Sequence, residues 1–395
     1  MTRRKRDARL WSRQDAAWRD PLEVASLWEN AGHTDSRLLR YRARGDWWDV
    51  LAALRVVLIV SREYEHLLIA ISAAAKGPEV SYWPLPHPSG LALDAKRATL
   101  HVASTRSPNQ VFDFAPATGL VPRPDAPGLA LEGRPLLPVR SRFLPGCLYL
   151  HDLGMVGGAL HGCAVGQNAV VRLDPSGAYE RVWWPRCVES RKGPVFGLNH
   201  IQLNSIAAGR SLRSSFFTAS SDRIDARRPG HRDYPVERRG VLFSGASREP
   251  IARGLTRPHS ARLHRGRVWL DDSGYGDLGF VEDGRLVQVA RLPGWTRGLA
   301  FCGRVAFVGT SRVLPRFRRY APGLDQSSSV CGVHAVDTRS GRVLGSLIWP
   351  YGNQIFGIEP VPRRFTSGFP LPVGRPRALA RIRKLFYSFS CEVRA

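Results

Sequence analysis

The segment Leu299-Ala-Phe-Cys-Gly-Arg-Val-Ala-Phe-Val-Gly-Thr, residues 299–310, contains two short apolar runs separated by a glycine-containing turn. This pattern is typical of two antiparallel strands, because glycine readily adopts the positive φ that tight hairpin turns require. Ala261–Asp272 repeats the pattern, and further copies begin at Val281 and Val336. From Val56 onward the chain is therefore predicted to form successive short strands, with little helical periodicity.

A polar residue recurs where these strand groups begin. The six blade-start residues are His87, His151, Asn204, His259, Arg297 and Gln354. Successive members are 64, 53, 55, 38 and 57 residues apart. A four-stranded propeller blade needs roughly 40 residues, and longer loops account for the larger spacings. Six such units predict an all-β, six-bladed β-propeller over residues 55–362.

The two ends of this region indicate how the ring would close. One good strand follows Gln354, whereas three candidate strands within residues 56–84 precede His87. Together they make one blade, so we expect N-terminal strands to complete the last blade and leave no free edge. A two-sheet sandwich could use the same hairpins, but it would not explain the recurring polar residue.

Two flanks lie outside the predicted ring. Residues 1–54 are basic and are expected to be partly helical, with one helix beginning at Asp20-Pro21. Residues 363–395 form a basic tail in which residues 378–386 have the pattern of an amphipathic helix. That helix would either cap the propeller or lie on a membrane surface.

The charge balance bears on the class of partner. The 395 residues include 58 basic and 33 acidic side chains, for a net charge of +25. Strong basicity is a property of many nucleic-acid-binding proteins. However, 53 of the basic residues are arginines spread along the whole chain, which argues against nucleic acid as the partner.

Other sequence features concern the compartment. The chain has neither a run of roughly 18 apolar residues nor a secretory signal, so we expect a cytoplasmic protein without membrane insertion. The six cysteines include no C-x-x-C pair and are expected to be free thiols.

Several segments resemble a known family. They are residues 254–279, 292–301 and 331–341, together with Gln354-Ile-Phe. In these segments the chain is similar to a bacterial family of conserved hypothetical proteins that is catalogued as a domain of unknown function. Some of its members lie beside tetratricopeptide repeats. The resemblance covers roughly residues 56–362 and implies a six-bladed propeller with no established activity. This chain has Gln354 where the family usually has Glu, and Ser89 where it often has Met.

Propeller geometry predicts a common location for the blade-start residues. The innermost strands all begin near one mouth of the central channel, so the six side chains should converge there, with Ser89, Asp152 and Ser260 beside them. Convergent polar groups in a concave site indicate ligand binding. We therefore expect a small polar or anionic ligand, with Arg297 binding its anionic group bidentately.

His87, His151 and His259 raise a further hypothesis. Three imidazoles at one mouth would suit one divalent metal ion, which could support a lyase or hydrolase reaction. Two alternatives stay open. The histidines could instead bind carbonyls of neighbouring blades and hold the ring in register, or the propeller could be a non-catalytic scaffold that binds a protein partner. The sequence assigns no catalytic residue.

Overall fold

The computed structural model of the protein describes residues 28–75, 77–105, 109–124, 130–231, 233–385 and 388–391. The helix expected at Asp20 lies outside these ranges. Residues 28–32 are helical and are followed by a 3₁₀ helix at Ser36–Leu39, by β1 (Arg42–Gly45) and by α1 (Trp47–Leu54). The indole of Trp47 is fully buried edge-on against the ring of Phe307, with centroids 5.9 Å apart, so α1 packs directly on the strands that follow.

The first half of the chain contributes three groups of strands. The earliest group is β2 (Val56–Arg62), β3 (Leu67–Ala74) and β4 (Gly77–Pro84). Blade 1 comprises β5 (Pro88–Asp94), β6 (Thr99–Ser104), β7 (Asn109–Pro116) and β9 (Leu136–Leu144), with the short β8 (Gly119–Leu120) before β9. Blade 2 comprises β10 (Leu150–Val156), β11 (Ala159–Ala164), β12 (Ala169–Leu173) and β13 (Tyr179–Trp183). A small hairpin follows, of β14 (Glu189–Ser190) and β15 (Gly193–Pro194).

The second half contributes the remaining blades. Blade 3 comprises β16 (Leu203–Ala207), β17 (Phe216–Ala219), β18 (Gly240–Ser244) and β19 (Pro250–Leu255). Blade 4 comprises β20 (Pro258–His264), β21 (Arg267–Asp272), β22 (Asp277–Glu282) and β23 (Arg285–Arg291). Blade 5 comprises β24 (Trp295–Cys302), β25 (Val305–Ser311), β26 (Cys331–Asp337) and β27 (Val343–Trp349), with β1 added at its outer edge. Further 3₁₀ helices lie at Val165–Gln167, Arg186–Val188, Leu212–Ser214 and Pro315–Tyr320.

Blade 6 combines strands from the two ends of the ring-forming region. Its order is β28 (Gly357–Pro362), β2, β3 and β4. Strands β28 and β2 are antiparallel and in register from Val56 opposite Pro362 to Ser61 opposite Gly357. The prediction of an all-β, six-bladed propeller is thus confirmed, and among the described strands no single sheet closes on itself.

The hydrophobic core is divided between the blades. Six clusters of buried side chains occur, and each fills the space between two neighbouring sheets. One cluster joins blades 5 and 6, where Phe307 and Ile69 are fully buried, and another joins blades 6 and 1, where Leu68 and Phe114 are fully buried. Because apolar packing lies between the blades, the central channel is left for polar side chains.

The C-terminal residues bind the outside of the ring. Strand β29 (Leu371–Pro372) pairs with β4, and β30 (Phe389–Ser390) pairs with β8. Between them lies α2 (Pro376–Leu385), within the region where the sequence predicted a helix. A guanidinium nitrogen of Arg381 lies 2.6 Å from a carboxylate oxygen of Glu132, in the loop before β9. These contacts place the tail against blades 6 and 1.

Two other expectations can be compared with the structure. In the described part of the chain, every helix is too short or too polar to span a bilayer. All six cysteines are free thiols, as predicted.

Candidate functional site at the channel mouth

The ring opens into a cavity of about 740 Å³ at the end where the innermost strands begin. Its walls come from the first residues of β10, β20 and β24, from the segment before β28, and from the 3₁₀ helix Pro315–Tyr320. Small-molecule sites typically enclose about 300–1,000 Å³. The cavity therefore has a suitable size for a ligand and lies at the channel mouth, where the blade-start residues were expected to converge.

Hydrogen bonds between neighbouring blades show which residues occupy equivalent positions. In blade 1, Oγ of Ser89 donates to the carbonyl of Leu150 at 2.9 Å. In blade 3, Nδ2 of Asn204 donates to the carbonyl of Pro258 at 3.0 Å. Each accepting carbonyl immediately precedes one of the predicted histidines, so the two histidines of blades 2 and 4 are equivalent.

The same bonding continues through blades 5 and 6. Oγ of Ser273, which follows the second strand of blade 4, donates to the carbonyl of Thr296 at 2.6 Å. Oγ of Ser311, at the end of the second strand of blade 5, donates to the carbonyl of Ile355 at 3.1 Å. The next residues along the chain are Arg297 and Phe356, which are therefore equivalent. The full set in this register is Ser89, His151, Asn204, His259, Arg297 and Phe356.

The register predicted for blades 1 and 6 is consequently displaced. His87 and Gln354 each lie two residues before the equivalent position, which Ser89 and Phe356 occupy. The prediction relied on a polar residue at each blade start, and blade 6 has an aromatic residue there. His87 does not line the cavity. Its backbone N–H donates to Nδ1 of His66 at 3.2 Å, and the two rings pack edge-on with centroids 4.3 Å apart.

Gln354 does line the cavity although its register differs. Gln354 is only 9% exposed, and its Oε1 accepts no hydrogen bond from the described residues. Buried amide oxygens are normally hydrogen-bonded. This carbonyl oxygen is thus available to a donor group on a ligand.

His151, Arg297 and Phe356 form one side of the cavity. The guanidinium carbon of Arg297 lies 3.3 Å from the centroid of the Phe356 ring, which is a close cation–π contact. A terminal nitrogen of Arg297 lies 3.2 Å from Nδ1 of His151, and the His151 ring packs edge-on to Phe356 at 5.3 Å. Because a guanidinium only donates, Nδ1 of His151 is the acceptor.

The charge of Arg297 has no direct counter-ion among the described residues. Among the described residues, Arg297 forms no ion pair with a carboxylate, and Glu63 is the strongest of the charges that act on it from a longer distance. Burial lowers the pKa of Arg297 to about 10, because the charged form loses hydration. The side chain is still protonated at neutral pH and presents a positive charge to the cavity.

His259 is held in one tautomer. Its Nδ1 lies 2.8 Å from the carbonyl oxygen of Arg257 and 3.0 Å from Oγ of Ser273. A carbonyl oxygen only accepts, so Nδ1 carries the hydrogen and Nε2 keeps its lone pair. Burial, and after it the positive charge of Arg297, lowers the pKa of His259 well below 6.5. The imidazole is therefore a neutral acceptor at physiological pH.

Asn204 and Ser260, which the sequence placed at the site, do not line the cavity. Oδ1 of Asn204 accepts from the hydroxyl of Thr218 at 2.7 Å, and its Nδ2 is bonded to blade 4 as described above. Oγ of Ser260 accepts from the backbone N–H of Gly298 at 2.8 Å, which joins blades 4 and 5. Both side chains therefore hold neighbouring blades in register, which is the structural role that the sequence analysis considered for the histidines.

Asp152 also lies outside the cavity lining. Its carboxylate binds Arg262 of β20 bidentately, with nitrogen–oxygen distances of 2.6 and 3.0 Å, and accepts from the backbone N–H of Ile206 at 3.0 Å. Because the carboxylate is fully engaged within the ring, Asp152 has a structural role there.

The described residues do not bring the three histidines of the metal hypothesis together. His151 and His259 line the cavity and His87 does not. Within the described ranges, no three His, Cys, Asp or Glu side chains are grouped closely enough to hold a metal ion. The reason is the two-residue shift in blade 1, which puts Ser89 where a third imidazole was expected.

The sequence interpretation missed Arg257, which also lines the cavity. Arg257 is 4% exposed, and its guanidinium carbon lies 4.2 Å from the ring centroid of Tyr320 and 5.9 Å from that of Tyr234. It donates to Oε1 of Gln202, and its Nε has no hydrogen-bond partner among the described residues. Its position two residues before His259 was the available signal.

The charged residues that line the cavity favour a negatively charged ligand. Four arginines line it, at positions 228, 257, 297 and 312, whereas Glu63 is the only acidic residue in the lining among the described residues. Low-dielectric walls with one sign of charge concentrate counter-ions of the opposite sign. The arrangement can hold an anion against aromatic surfaces.

Comparison with known proteins supports the architecture. The sequence pattern of a family described as a domain of unknown function, DUF4915, matches residues 45–367. No functionally curated protein matches the chain. Among solved structures, a chain of the nidogen/laminin complex is similar with a TM-score of 0.50 and 10% identity, covering 77% of this chain and 98% of that one. This likeness shows the propeller fold.

Other solved propellers are more distant. A gluconolactonase from Xanthomonas campestris has a TM-score of 0.43 and 13% identity, over 75% of this chain and 86% of its own. A streptogramin B lyase has a TM-score of 0.37 and 13% identity, over 74% and 78%.

Proposed function

The chain belongs to this family of unknown function, and we propose that it binds a small anionic ligand with an apolar or aromatic body in the channel-mouth cavity. The observation that carries the proposal is Arg297. Its guanidinium lies in the cavity wall without a carboxylate partner among the described residues. An unpaired charge removed from water is unfavourable unless a counter-charge is supplied. A bound anion would supply it.

The cavity walls account for the rest of the ligand. The rings of Trp295, Phe317 and Phe356 line the cavity together with three tyrosines, at positions 64, 149 and 320. Stacked aromatic surfaces bind flat apolar groups, and a few polar atoms set their orientation. We infer that the body of the ligand is apolar or planar.

Two neutral acceptors would orient this ligand. Nε2 of His259 and Oε1 of Gln354 both belong to cavity residues and have no hydrogen-bond donor among the described residues. Each would accept a hydrogen bond from a hydroxyl or amine of the ligand. This donor requirement adds specificity to the electrostatic attraction.

The test uses matched charged and neutral probes. Benzoate and benzyl alcohol have the same ring, and only benzoate is anionic at pH 7.5. We expect benzoate to bind at least tenfold more tightly than benzyl alcohol by isothermal titration calorimetry, because only the carboxylate compensates Arg297. Arg297→Gln should weaken benzoate binding at least tenfold, which corresponds to about 1.4 kcal/mol.

The control is Arg285→Gln. Arg285 is an exposed arginine on β23 and does not line the cavity, so this variant should bind benzoate as tightly as the wild type. Failure of benzoate to bind the folded protein would contradict the proposal. So would an equal loss of affinity in the two variants.

A further inference from the structure

We propose that the ligand carries two anionic groups, one bound at Arg297 and the other at Arg257. This inference rests on the proposed function and extends it to a class of ligand. The class is a small dianion, such as a dicarboxylate or a phosphorylated acid, with a flat or apolar body between its charged ends.

Arg257 is a second guanidinium of the cavity and is only 4% exposed. It forms no ion pair with a carboxylate among the described residues, and the charges that act on it are those of Tyr320, Tyr234 and Arg319. Burial lowers the pKa of Arg257 to about 10, so the side chain is charged at neutral pH. In the part of the chain that the structure describes, its Nε has no hydrogen-bond partner and no carboxylate pairs with it, so it is able to bind an anion.

The two arginines belong to one continuous wall. Arg257 and His259 are alternate residues at the start of blade 4, and Trp295 and Arg297 are alternate residues at the start of blade 5. The rings of His259 and Trp295 are in contact, with centroids 5.9 Å apart. Arg257, His259 and Arg297 all line the same cavity, and the charges of both arginines lower the pKa of His259.

A single anion would neutralise only one of the two positive charges of this wall. Glu63 partly offsets the charge of Arg297, but it is not among the groups that act on Arg257. Two like charges in a partly dry cavity repel each other, and a single carboxylate neutralises only one of them. A ligand with two anionic groups neutralises both and gains a second charge-assisted hydrogen bond.

The first experiment needs only the wild-type protein. Benzoate is compared with the three benzenedicarboxylates, phthalate, isophthalate and terephthalate, by isothermal titration calorimetry at pH 7.5. These probes have one ring and differ in the number and spacing of carboxylates. We expect at least one dicarboxylate to bind tenfold or more tightly than benzoate, and the preferred isomer reports the spacing of the two sites.

The second experiment assigns the two sites. Arg257→Gln and Arg297→Gln should each bind the preferred dicarboxylate only as tightly as the wild type binds benzoate. Arg285→Gln should leave the preference unchanged. Should Arg257→Gln fail to fold, Arg257→Lys keeps the charge without the bidentate fork, and it should lower the preference while retaining benzoate binding.

The outcomes separate this inference from the function on which it rests. Equal binding of benzoate and all three dicarboxylates would overturn the second anionic site and leave the first intact. Absence of binding by all four probes would overturn both. A preference that survives in Arg257→Gln would also overturn the assignment to Arg257.

Discussion

Arg262 and Arg297 lie on neighbouring innermost strands, β20 and β24, and differ in what compensates their charge. Arg262 binds Asp152 of β10 bidentately, and this partner raises the pKa of Arg262 against the opposing effect of burial. Within the described ranges, Arg297 contacts a histidine nitrogen and an aromatic ring but forms no ion pair with a carboxylate, and burial lowers its pKa to about 10. Arg262 thus stabilises the ring through its ion pair, whereas the charge of Arg297 is the one that we propose a ligand compensates.

Glu359 of β28 also belongs to the charged surroundings of the Asp152–Arg262 pair. Burial raises the pKa of Glu359 to about 7, and the charge of Asp152 adds to this effect while Arg262 opposes it. Asp152, Arg262 and Glu359 come from blades 2, 4 and 6. The channel therefore contains an internally paired charged cluster, whereas Arg257 and Arg297 at its mouth form no ion pair with a carboxylate of the described residues.

The largest expected effect comes from breaking the Arg262 pair. Asp152→Ala leaves a mostly buried guanidinium without its counter-ion, so the free energy of unfolding should fall by about 3–5 kcal/mol in urea denaturation. Glu180→Ala is the matched control, because it removes the exposed Arg172–Glu180 pair between β12 and β13. That variant should lose less than about 1 kcal/mol. Similar losses in both variants would contradict the distinction between a buried pair and a surface pair.

A smaller effect is expected from pH. Arg297 and Arg257 both have pKa values lowered to about 10. They are charged below this pH and become neutral as the pH rises through it, so anion binding should be lost in that direction. Benzoate affinity measured by calorimetry should fall roughly tenfold between pH 8 and pH 11, a change of about 1.4 kcal/mol. Constant affinity across this range, with the fold verified by circular dichroism, would show that neither guanidinium binds the probe.

The smallest expected effect is on the stability of an Arg297 variant. Arg297→Met removes a charge that has no carboxylate partner in the described part of the chain, so the free energy of unfolding should stay within about 1 kcal/mol of the wild type or increase. Arg262→Met, which leaves Asp152 unpaired, should lose about 3 kcal/mol or more. A comparable loss in Arg297→Met would instead assign Arg297 a structural role like that of Arg262.

Much of the fold could be predicted from local patterns. The hairpins at residues 299–310 and 261–272 form as expected, because apolar alternation and turn glycines act within a few residues. The number of blades could be predicted because the group of short strands recurs along the chain, and each blade contains its own copy of that pattern. The packing of α1 against β3 and β27, by contrast, depends on contacts between distant segments.

The candidate site could be predicted only in part. His151, His259, Arg297 and Gln354 do line one cavity, whereas His87, Asp152, Asn204 and Ser260 do not. The innermost strands of blades 1 to 5 are each irregular in register near their beginnings. A one-residue irregularity sends a side chain to the opposite face of its strand, so sequence position alone does not show which polar residues face the cavity.

The amino-acid sequence by itself determined that this protein is a ring of six antiparallel sheets whose blades begin mostly with polar residues. Strand alternation and turn chemistry are local properties, and for this reason they can be read from the chain. Only the tertiary structure decided which of those polar groups are paired within the ring, and that Arg257 and Arg297 have no carboxylate partner among the described residues. Pairing depends on carboxylates that are more than a hundred residues away, as for Asp152 and Arg262.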